Sequence, residues 1–157
     1  PLDDRIDVPE LLEDVRQEIS TLSGGRHRIA LDNAGPAWLL GSARELRSAF
    51  ANLAGNAVRY TPQGGAITLH WSADGTSGAR FSVQDNGIGI AREHLPRLTE
   101  RFYRVDRGRS REAGGTGLGL AIVKHVLERH QAVLQIASEP GLGSTFSAVF
   151  PAHRVQS

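Results

Sequence analysis

The sequence contains neither cysteine nor methionine among its 157 residues, and aromatic side chains make up only 6%. Without cysteine there can be no disulfide framework, thiol nucleophile, iron–sulfur cluster or cysteine-ligated zinc site. Because the first residue is Pro1 and not methionine, we expect the sequence to be a piece of a longer protein. Apolar runs such as Ala37 to Leu40 are far shorter than the roughly 18 residues that a membrane span needs. We therefore expect a single domain that makes no membrane contact of its own.

A strong charge imbalance is also missing, because 18 basic and 17 acidic residues leave a net charge of +1. This balance provides no overall field for nucleic acid, so we expect no nucleic-acid partner. Apolar residues make up 39% and 18 glycines accompany them, which is typical of a globular domain and excludes a mainly disordered chain. The positive charge is instead concentrated in one stretch, which contains Arg97, Arg101, Arg104, Arg107, Arg109 and Arg111.

Hydrophobic periodicity and turn residues predict an alternation of helices and strands. Helices are predicted over residues 11–22 and 42–60 and from Gly117 onward, and strands over 5–8, 26–32, 38–40, 66–71, 80–85, 133–138 and 145–150. This order predicts an α/β sandwich in which a mixed sheet carries helices on one face. Between residues 86 and 116 the sequence is loop-like, with two short helical possibilities at 92–98 and 101–105. A connection of this length is usually functional.

Three polar residues align on the second predicted helix, which follows Ser42 and a capping box with Glu45. Asn52, Asn56 and Arg59 fall at positions i, i+4 and i+7, on one line beside the apolar stripe. Asparagine is a mediocre helix former, so two of them in line ask for a reason. They could form a solvated face or a helix–helix hydrogen bond. Alternatively, amide oxygens could bind a hard cation such as Mg²⁺ while Arg59 contacts phosphate.

Two glycine-containing segments follow predicted elements in a way that favours ligand binding. Asp85 to Ile90, read as Asp-Asn-Gly-Ile-Gly-Ile, places a carboxylate at the end of a strand with glycines behind it. Residues 114–120, read as Gly-Gly-Thr-Gly-Leu-Gly-Leu, lead directly into an apolar helix whose first N–H groups could hold an anion. No Walker A loop is present, because Lys124 follows Val123, and no Rossmann turn is present, because the glycines follow an arginine-rich loop.

Taken together, these motifs resemble a known constellation. In order they are Asn52 to Pro62, Asp85 to Ile90, Arg101 to Asp106 and Gly115 to Val123. They resemble the N, G1, F and G2 boxes of the ATP-binding domain of sensor histidine kinases, a superfamily that also contains gyrase, Hsp90 and MutL. The stretch from Leu95 to Asp106 is most similar to the phosphate-regulon sensor kinases. The resemblance implies the Bergerat fold: a mixed, mostly antiparallel five-stranded sheet with about three helices on one face and a mobile ATP lid.

The resemblance also implies roles for individual residues. Asn56 is expected to coordinate Mg²⁺, with Asn52 assisting at the same metal and phosphate site. Arg59 is expected to contact phosphate, Tyr60 to lie near adenine, and Asp85 to accept a hydrogen bond from the adenine amine.

Further roles are implied around the predicted lid, which covers residues 104–116. Arg101 is expected to contact the γ-phosphate, and Gly87 and Gly89 to admit the adenine ring. From the last hairpin either Ser144 or Thr145 is expected to reach the adenine site, and Thr145 is taken as the candidate. The residues expected to close on the phosphates are Gly115, Thr116, Gly117, Leu118 and Gly119.

One position separates kinases from hydrolases in this superfamily. The ATP-hydrolysing relatives carry a glutamate as general base where this chain has Asn52, and a neutral amide cannot accept a proton at pH 7. We therefore expect poor ATP hydrolysis and transfer of the γ-phosphoryl group to a histidine. The alternatives are a superfamily ATPase and a degenerate nucleotide-binding module.

The acceptor histidine is expected outside this sequence, since none of its six histidines has the required setting. His94, for example, has Pro96 two residues on, which would interrupt the helix of a phosphoacceptor box. The expected partners are therefore an upstream dimerisation domain carrying the acceptor and a downstream response regulator. The expected location is the cytoplasm, with a parent kinase anchored in the inner membrane that senses phosphate.

Overall fold

The secondary structure is seen in a computed structural model that describes residues 2–75, 78–89, 95 and 119–156. In chain order the elements are β1 (Asp4–Asp7), α1 (Val8–Ser23), β2 (Arg28–Ala34), β3 (Trp38–Gly41), α2 (Ala43–Tyr60), β4 (Ala66–Asp74), β5 (Gly78–Asp85), α3 (Gly119–Arg129), β6 (Val133–Glu139), β7 (Gly143–Phe150) and β8 (Val155–Gln156). All seven strands predicted from the sequence are present. The short helices predicted at 92–98 and 101–105 and the lid predicted at 104–116 lie outside the described residues, apart from Leu95.

Five of the strands form the main sheet, in the order β2-β4-β5-β7-β6. β2 and β4 are parallel, with Arg28 opposite Ala66, whereas the other three neighbouring pairs are antiparallel. Helix α2 contacts both α1 and α3, and the three helices pack on one face of this sheet. The predicted mixed, mostly antiparallel sheet with helices on one face is therefore confirmed.

The core lies between this sheet and the helices, and aromatic rings form its centre. Phe50 of α2 stacks on Phe81 of β5, with ring centroids 4.0 Å apart and planes 4° from parallel. Trp71 and Phe150, from the neighbouring strands, meet Phe50 in tilted and edge-on arrangements. All four side chains are buried. Because core aromatic residues contribute several kcal/mol each, this cluster fixes the position of α2 relative to β5.

A second, three-stranded sheet has the order β1-β3-β8. The sequence predicted β1 and β3 as strands, but β8 is only two residues long and was not predicted. Arg154, just before β8, is buried and donates hydrogen bonds to the carbonyls of Leu2 and Leu40 and to the side chain of Gln131. These bonds join the N-terminal segment, β3 and the turn after α3.

The start of α2 only partly follows the predicted capping box. Ser42 is the N-cap, and its hydroxyl accepts from the Glu45 N–H at 3.3 Å. The Ser42 N–H, however, donates to Nε2 of the buried His130 at 3.0 Å. Glu45 instead forms an ion pair with Arg129, at 2.8 and 3.1 Å. Arg129, the last residue of α3, and His130, directly after it, therefore hold the start of α2. This arrangement fixes the position of α2 relative to α3.

Candidate functional site

The predicted line of polar side chains on α2 is present. Asn52, Asn56 and Arg59 are all half-buried. The Asn52 amide nitrogen donates to the Ser48 carbonyl at 2.8 Å. Its Oδ1 faces the first residue of α3, since a Cβ added to Gly119 would lie 3.0 Å from that oxygen. The start of α3 and the middle of α2 thus meet at Asn52, as expected if both contribute to one site.

The amide oxygens on α2 are suited to a hard cation. Asn56 Oδ1 accepts from Arg59 Nη1 at 3.3 Å, so this oxygen is already beside a positive group. Oxygen ligands are those that Mg²⁺ prefers, and Mg²⁺ in nucleotide sites takes few protein ligands. Within the described part of the chain no group of three or more His, Cys, Asp or Glu residues could hold a metal ion. The amide oxygens on α2 fit a metal whose remaining ligands are phosphate oxygens.

A groove of about 660 Å³ between α1 and α2 opens beside this line. Asn52 and Arg59 both border it, and Arg44 and Arg47 add positive charge to its rim. Glu18 also borders the groove and lies 3.6 Å from Arg47, but one carboxylate offsets only one of the three arginine charges. The exposed flank of α2 is accordingly cationic where anionic groups are expected.

The carboxylate predicted at the end of β5 is buried. Asp85 is only 7% exposed, and its Oδ1 accepts from the Gly87 N–H at 2.8 Å. Burial raises the pKa of Asp85, and the backbone amides of Gly87 and Ser144 and the Thr61 hydroxyl partly oppose that rise. A buried carboxylate supported by neutral donors is a strong hydrogen-bond acceptor for an incoming amine.

The glycines after Asp85 allow close backbone packing. A Cβ on Gly87 would overlap with the Tyr60 carbonyl, and a Cβ on Gly89 would overlap with the Glu139 carbonyl. Gly89 also has a φ of +73°, which side chains other than glycine rarely adopt. In both cases protein backbone fills the space that a side chain would need. The expectation that these glycines admit an adenine ring therefore stays a prediction, while their packing role is direct.

The last hairpin presents Ser144, not Thr145, on the Asp85 side of the sheet. Ser144 pairs with Asp85 across β5 and β7, whereas Thr145 pairs with Gln84. Both Asp85 and Thr145 border a shallow hollow of about 240 Å³, yet successive side chains of a strand point to opposite faces. Thr145 thus faces away from the helices. The register thus puts Ser144 on the Asp85 side of the sheet, and the expectation that Thr145 reaches adenine stays a prediction.

Several predicted site residues lie outside the described part of the chain: Arg101, Gly115, Thr116, Gly117 and Leu118. One residue beside Asp85 was given no role by the sequence reasoning. Thr61 follows α2 directly and is only 4% exposed. Its position in the Tyr-Thr-Pro sequence after the aligned α2 residues is the only signal that could have singled it out.

Comparison with known proteins identifies the family. Residues 41–154, well over half of the chain, match the family of histidine kinase-, DNA gyrase B- and HSP90-like ATPases. The chain belongs to this family. The resemblance noted from the four motifs is thereby confirmed, and so is the ATP-binding character of the domain.

Sensor proteins are close relatives of this histidine kinase-like ATPase domain. It is 60% identical to the phosphate regulon sensor protein PhoR of Pseudomonas aeruginosa, over 91% of this chain and 32% of PhoR. It is 39% identical to PhoR of Haemophilus influenzae, over 94% of this chain and 34% of that protein. The chain thus spans about a third of the length of these relatives. The predicted similarity to phosphate-regulon kinases is confirmed.

Solved structures agree with the family. The full-length histidine kinase ShkA in complex with AMPPNP has a TM-score of 0.81 and 31% identity, over 95% of this chain and 31% of that one. The mycobacterial sensor histidine kinase MprB has a TM-score of 0.79 at 24% identity, over 95% and 97% of the two chains, which supports the fold. Among the described residues, no helix combines the length and apolarity needed to cross a bilayer.

Proposed function

We propose that the chain binds Mg-ATP and transfers the γ-phosphoryl group to a histidine on a separate dimerisation domain. The observation that supports this most is the buried Asp85 carboxylate at one end of α2, with Asn52, Asn56 and Arg59 along the same helix. The carboxylate is an acceptor suited to the adenine amine of a nucleotide. The cationic and amide groups along the helix suit its phosphates. In the transfer, the bond between the γ-phosphorus and the bridging oxygen breaks, a phosphorus–nitrogen bond forms to imidazole, and the imidazole proton leaves to solvent.

At the adenine end, Asp85 accepts a hydrogen bond from the exocyclic amine. Its Oδ1 is oriented by the Gly87 N–H, and Ser144 lies on the same side of the sheet. Tyr60 lies beside this end of the site, because its carbonyl accepts from the Ile88 N–H at 3.3 Å. The two glycines of this loop, Gly87 and Gly89, keep the loop against α2 and the β6–β7 turn, and the ring binds next to it.

At the phosphate end, Asn56 would be the protein ligand of Mg²⁺, with Asn52 beside it. Bound Mg²⁺ would neutralise phosphate charge as the phosphoryl group leaves. Arg59 lies within reach of Asn56 and contacts phosphate. Gly119, at the start of α3, lies against Asn52 and puts backbone N–H groups near the anion. The roles given to Arg101, Gly115, Thr116, Gly117 and Leu118 remain predictions.

The neutral amide of Asn52 supports phosphoryl transfer to histidine over hydrolysis of ATP. A carboxylate at this position could accept a proton from water, but the Asn52 amide is neutral and donates to Ser48. A neutral imidazole needs no such base. The second candidate, a superfamily ATPase, would require another base to activate water.

The parent protein's properties are proposals as well. We infer from the PhoR relatives that the parent senses phosphate, contains a dimerisation and phosphoacceptor domain and passes the phosphoryl group to a response regulator. We place this domain in the cytoplasm, attached to a parent anchored in the inner membrane.

A phosphotransfer assay tests the proposal. The chain is mixed with a dimerisation domain from a PhoR relative and with ATP labelled at the γ-phosphate. Label on the partner's histidine supports transfer, free phosphate without that label supports the ATPase alternative, and ATP binding without either supports a degenerate module. Asn56→Ala should abolish labelling, whereas the control Asn33→Ala, at an exposed asparagine on β2, should not.

A further inference from the structure

The structure points to a further residue, Thr61, that acts on Asp85 at the adenine end of the site. We propose that the Thr61 hydroxyl is a positioning residue, which holds the Asp85 carboxylate in the ionised, correctly directed form that accepts the adenine amine. This inference rests on the proposed function, because it assigns Thr61 a task only if Asp85 binds adenine.

The first observation is an unpartnered buried hydroxyl. Thr61 is 96% buried, since its exposed fraction is 4%. Among the residues that the structure describes, its Oγ1 is the one fully buried side-chain oxygen or nitrogen without a hydrogen-bond partner. A buried hydroxyl that forms no hydrogen bond costs free energy, so this arrangement calls for a partner or a function.

The second observation is the direction of the side chain. A Cβ on Gly65 would overlap with the Thr61 Cγ2, so the methyl group fills the space above that glycine. The Thr61 carbonyl accepts from His27 Nε2 at 2.6 Å, and a Cβ on Gly87 would lie 3.0 Å from the Thr61 Cα. The methyl group and the backbone are therefore held on three sides, which fixes the direction of the hydroxyl.

The third observation is what the hydroxyl faces. A Cβ on Gly87 would lie 3.0 Å from both the Thr61 Cα and the Asp85 Oδ1, so the two residues are direct neighbours. The Thr61 hydroxyl lowers the pKa of the Asp85 carboxyl, although its Oγ1 does not reach hydrogen-bond geometry in this structure. Among the described residues, burial, the amides of Gly87 and Ser144 and this hydroxyl are the influences on Asp85, and no charged side chain acts on it. A small movement of the carboxyl toward an amine would complete the Thr61 bond.

The chemistry follows from these contacts. Only the ionised carboxylate offers acceptors on both oxygens, and burial works against ionisation. Each neutral donor that faces the carboxylate favours the charged form. Hydrogen bonds to charged groups are stronger than neutral ones. Removal of the Thr61 hydroxyl should therefore raise the pKa of Asp85 and weaken adenine binding most at low pH.

The test compares Thr61→Val with Thr61→Ser. Valine keeps the methyl group against Gly65 and removes only the hydroxyl, whereas serine keeps the hydroxyl. Binding of ADP in the presence of Mg²⁺ is measured by calorimetry from about pH 5 to pH 8, a range in which a carboxyl of raised pKa can titrate. The matched control is Thr68→Val on β4, whose side chain lies opposite Gln84 on the outer face of the sheet.

We expect Thr61→Val to weaken ADP binding roughly tenfold at neutral pH and to shift the acid loss of binding to higher pH. Thr61→Ser should restore the wild-type profile, and Thr68→Val should match the wild type. A Thr61→Val curve that runs parallel to the wild-type curve at all pH values would show a packing role only and would overturn the inference, as would unchanged binding. If Thr61→Val does not fold, Thr61→Ala is measured instead.

The variant Asp85→Asn distinguishes the proposed adenine role of Asp85 from the positioning role of Thr61. If this variant still binds ADP normally, the adenine role of Asp85 fails and the proposed function of this site fails with it. If Asp85→Asn loses binding but Thr61→Val retains the wild-type pH profile, the proposed function stands and only the role of Thr61 is overturned.

Discussion

The two ends of α2 use polar groups in different ways. At its start, the Ser42 N–H meets His130 and the Glu45 carboxylate meets Arg129, so each group has a protein partner. At its other end, the Thr61 hydroxyl has no partner. The first end is fixed by its protein partners, whereas the second keeps an unused hydroxyl donor beside the Asp85 carboxylate. Changes at the first end should therefore alter stability, and changes at the second should alter nucleotide binding.

The largest effect should come from His130→Ala. The ring is fully buried, accepts from the Ser42 N–H through Nε2 and donates from Nδ1 to the Val126 carbonyl at 2.8 Å. Its removal leaves a cavity and an unpaired helix N–H, which together should lower the free energy of unfolding by about 3 kcal/mol. Urea unfolding measures this. His125→Ala, at an exposed position of α3, is the control and should change little.

Asp85→Asn, at the other end of α2, should impair nucleotide binding and leave stability nearly unchanged. The loss of a charged acceptor should weaken ADP binding by roughly tenfold to a hundredfold. Stability should not fall at neutral pH, because burial raises the pKa of Asp85 and thus disfavours its ionised form in the folded state. Calorimetry and thermal unfolding measure the two quantities. Asp32→Asn on the exposed edge strand is the control, and a large loss of stability in Asp85→Asn would contradict the comparison.

The free energy of unfolding should fall at acid pH because of His130, which holds the start of α2. Burial lowers the pKa of His130, and the nearby Arg154 and Arg129 act in the same direction, while Glu45 opposes them. Below about pH 6.5 the unfolded chain takes up a proton that the folded chain refuses, so folded stability should decrease as pH falls. In His130→Asn this part of the pH dependence should disappear, as measured by urea unfolding from pH 7.5 to about pH 5. Equal slopes in the two proteins would refute the assignment.

The smallest effect should come from Arg129→Gln. Arg129 lowers the pKa of Glu45, so the pair stabilises the fold above the usual titration range of glutamate and ceases to do so as Glu45 is protonated. Both side chains remain partly exposed, and water and salt screen such pairs. The melting temperature should drop much less than in His130→Ala, and the difference should shrink in high salt. A drop as large as that of His130→Ala would mean that the ion pair, not the histidine, holds this end.

Much of this arrangement was predictable, because it depends on local patterns. The alternation in β4 and β5, the glycines between them and the i, i+4, i+7 spacing on α2 each lie within one element. They sufficed for the sheet, the helical face and the place of Asp85.

The remaining features depend on contacts between distant segments. The direction of Ser144 is set by its pairing with Asp85, and a shift of one residue would have brought Thr145 to that face. The partner of the Ser42 N–H, His130, lies in the turn after α3, so the capping box indicated the hydroxyl bond of Ser42 but not its amide bond. Thr61 is meaningful only once Gly65, Gly87 and Asp85 surround it.

The parallel pairing of β2 with β4 has a consequence for the order in which the chain assembles. Only three residues separate β4 from β5 in the sequence, so their pairing requires little loss of chain entropy. The pairing of β2 with β4, in contrast, closes a loop that contains β3 and all of α2. Because distant pairings form slowly, we expect the hairpin to form early and β2 to join late, once the helix that carries the nucleotide site is already docked. The binding groups of α2 would then be assembled before the sheet that supports them is complete.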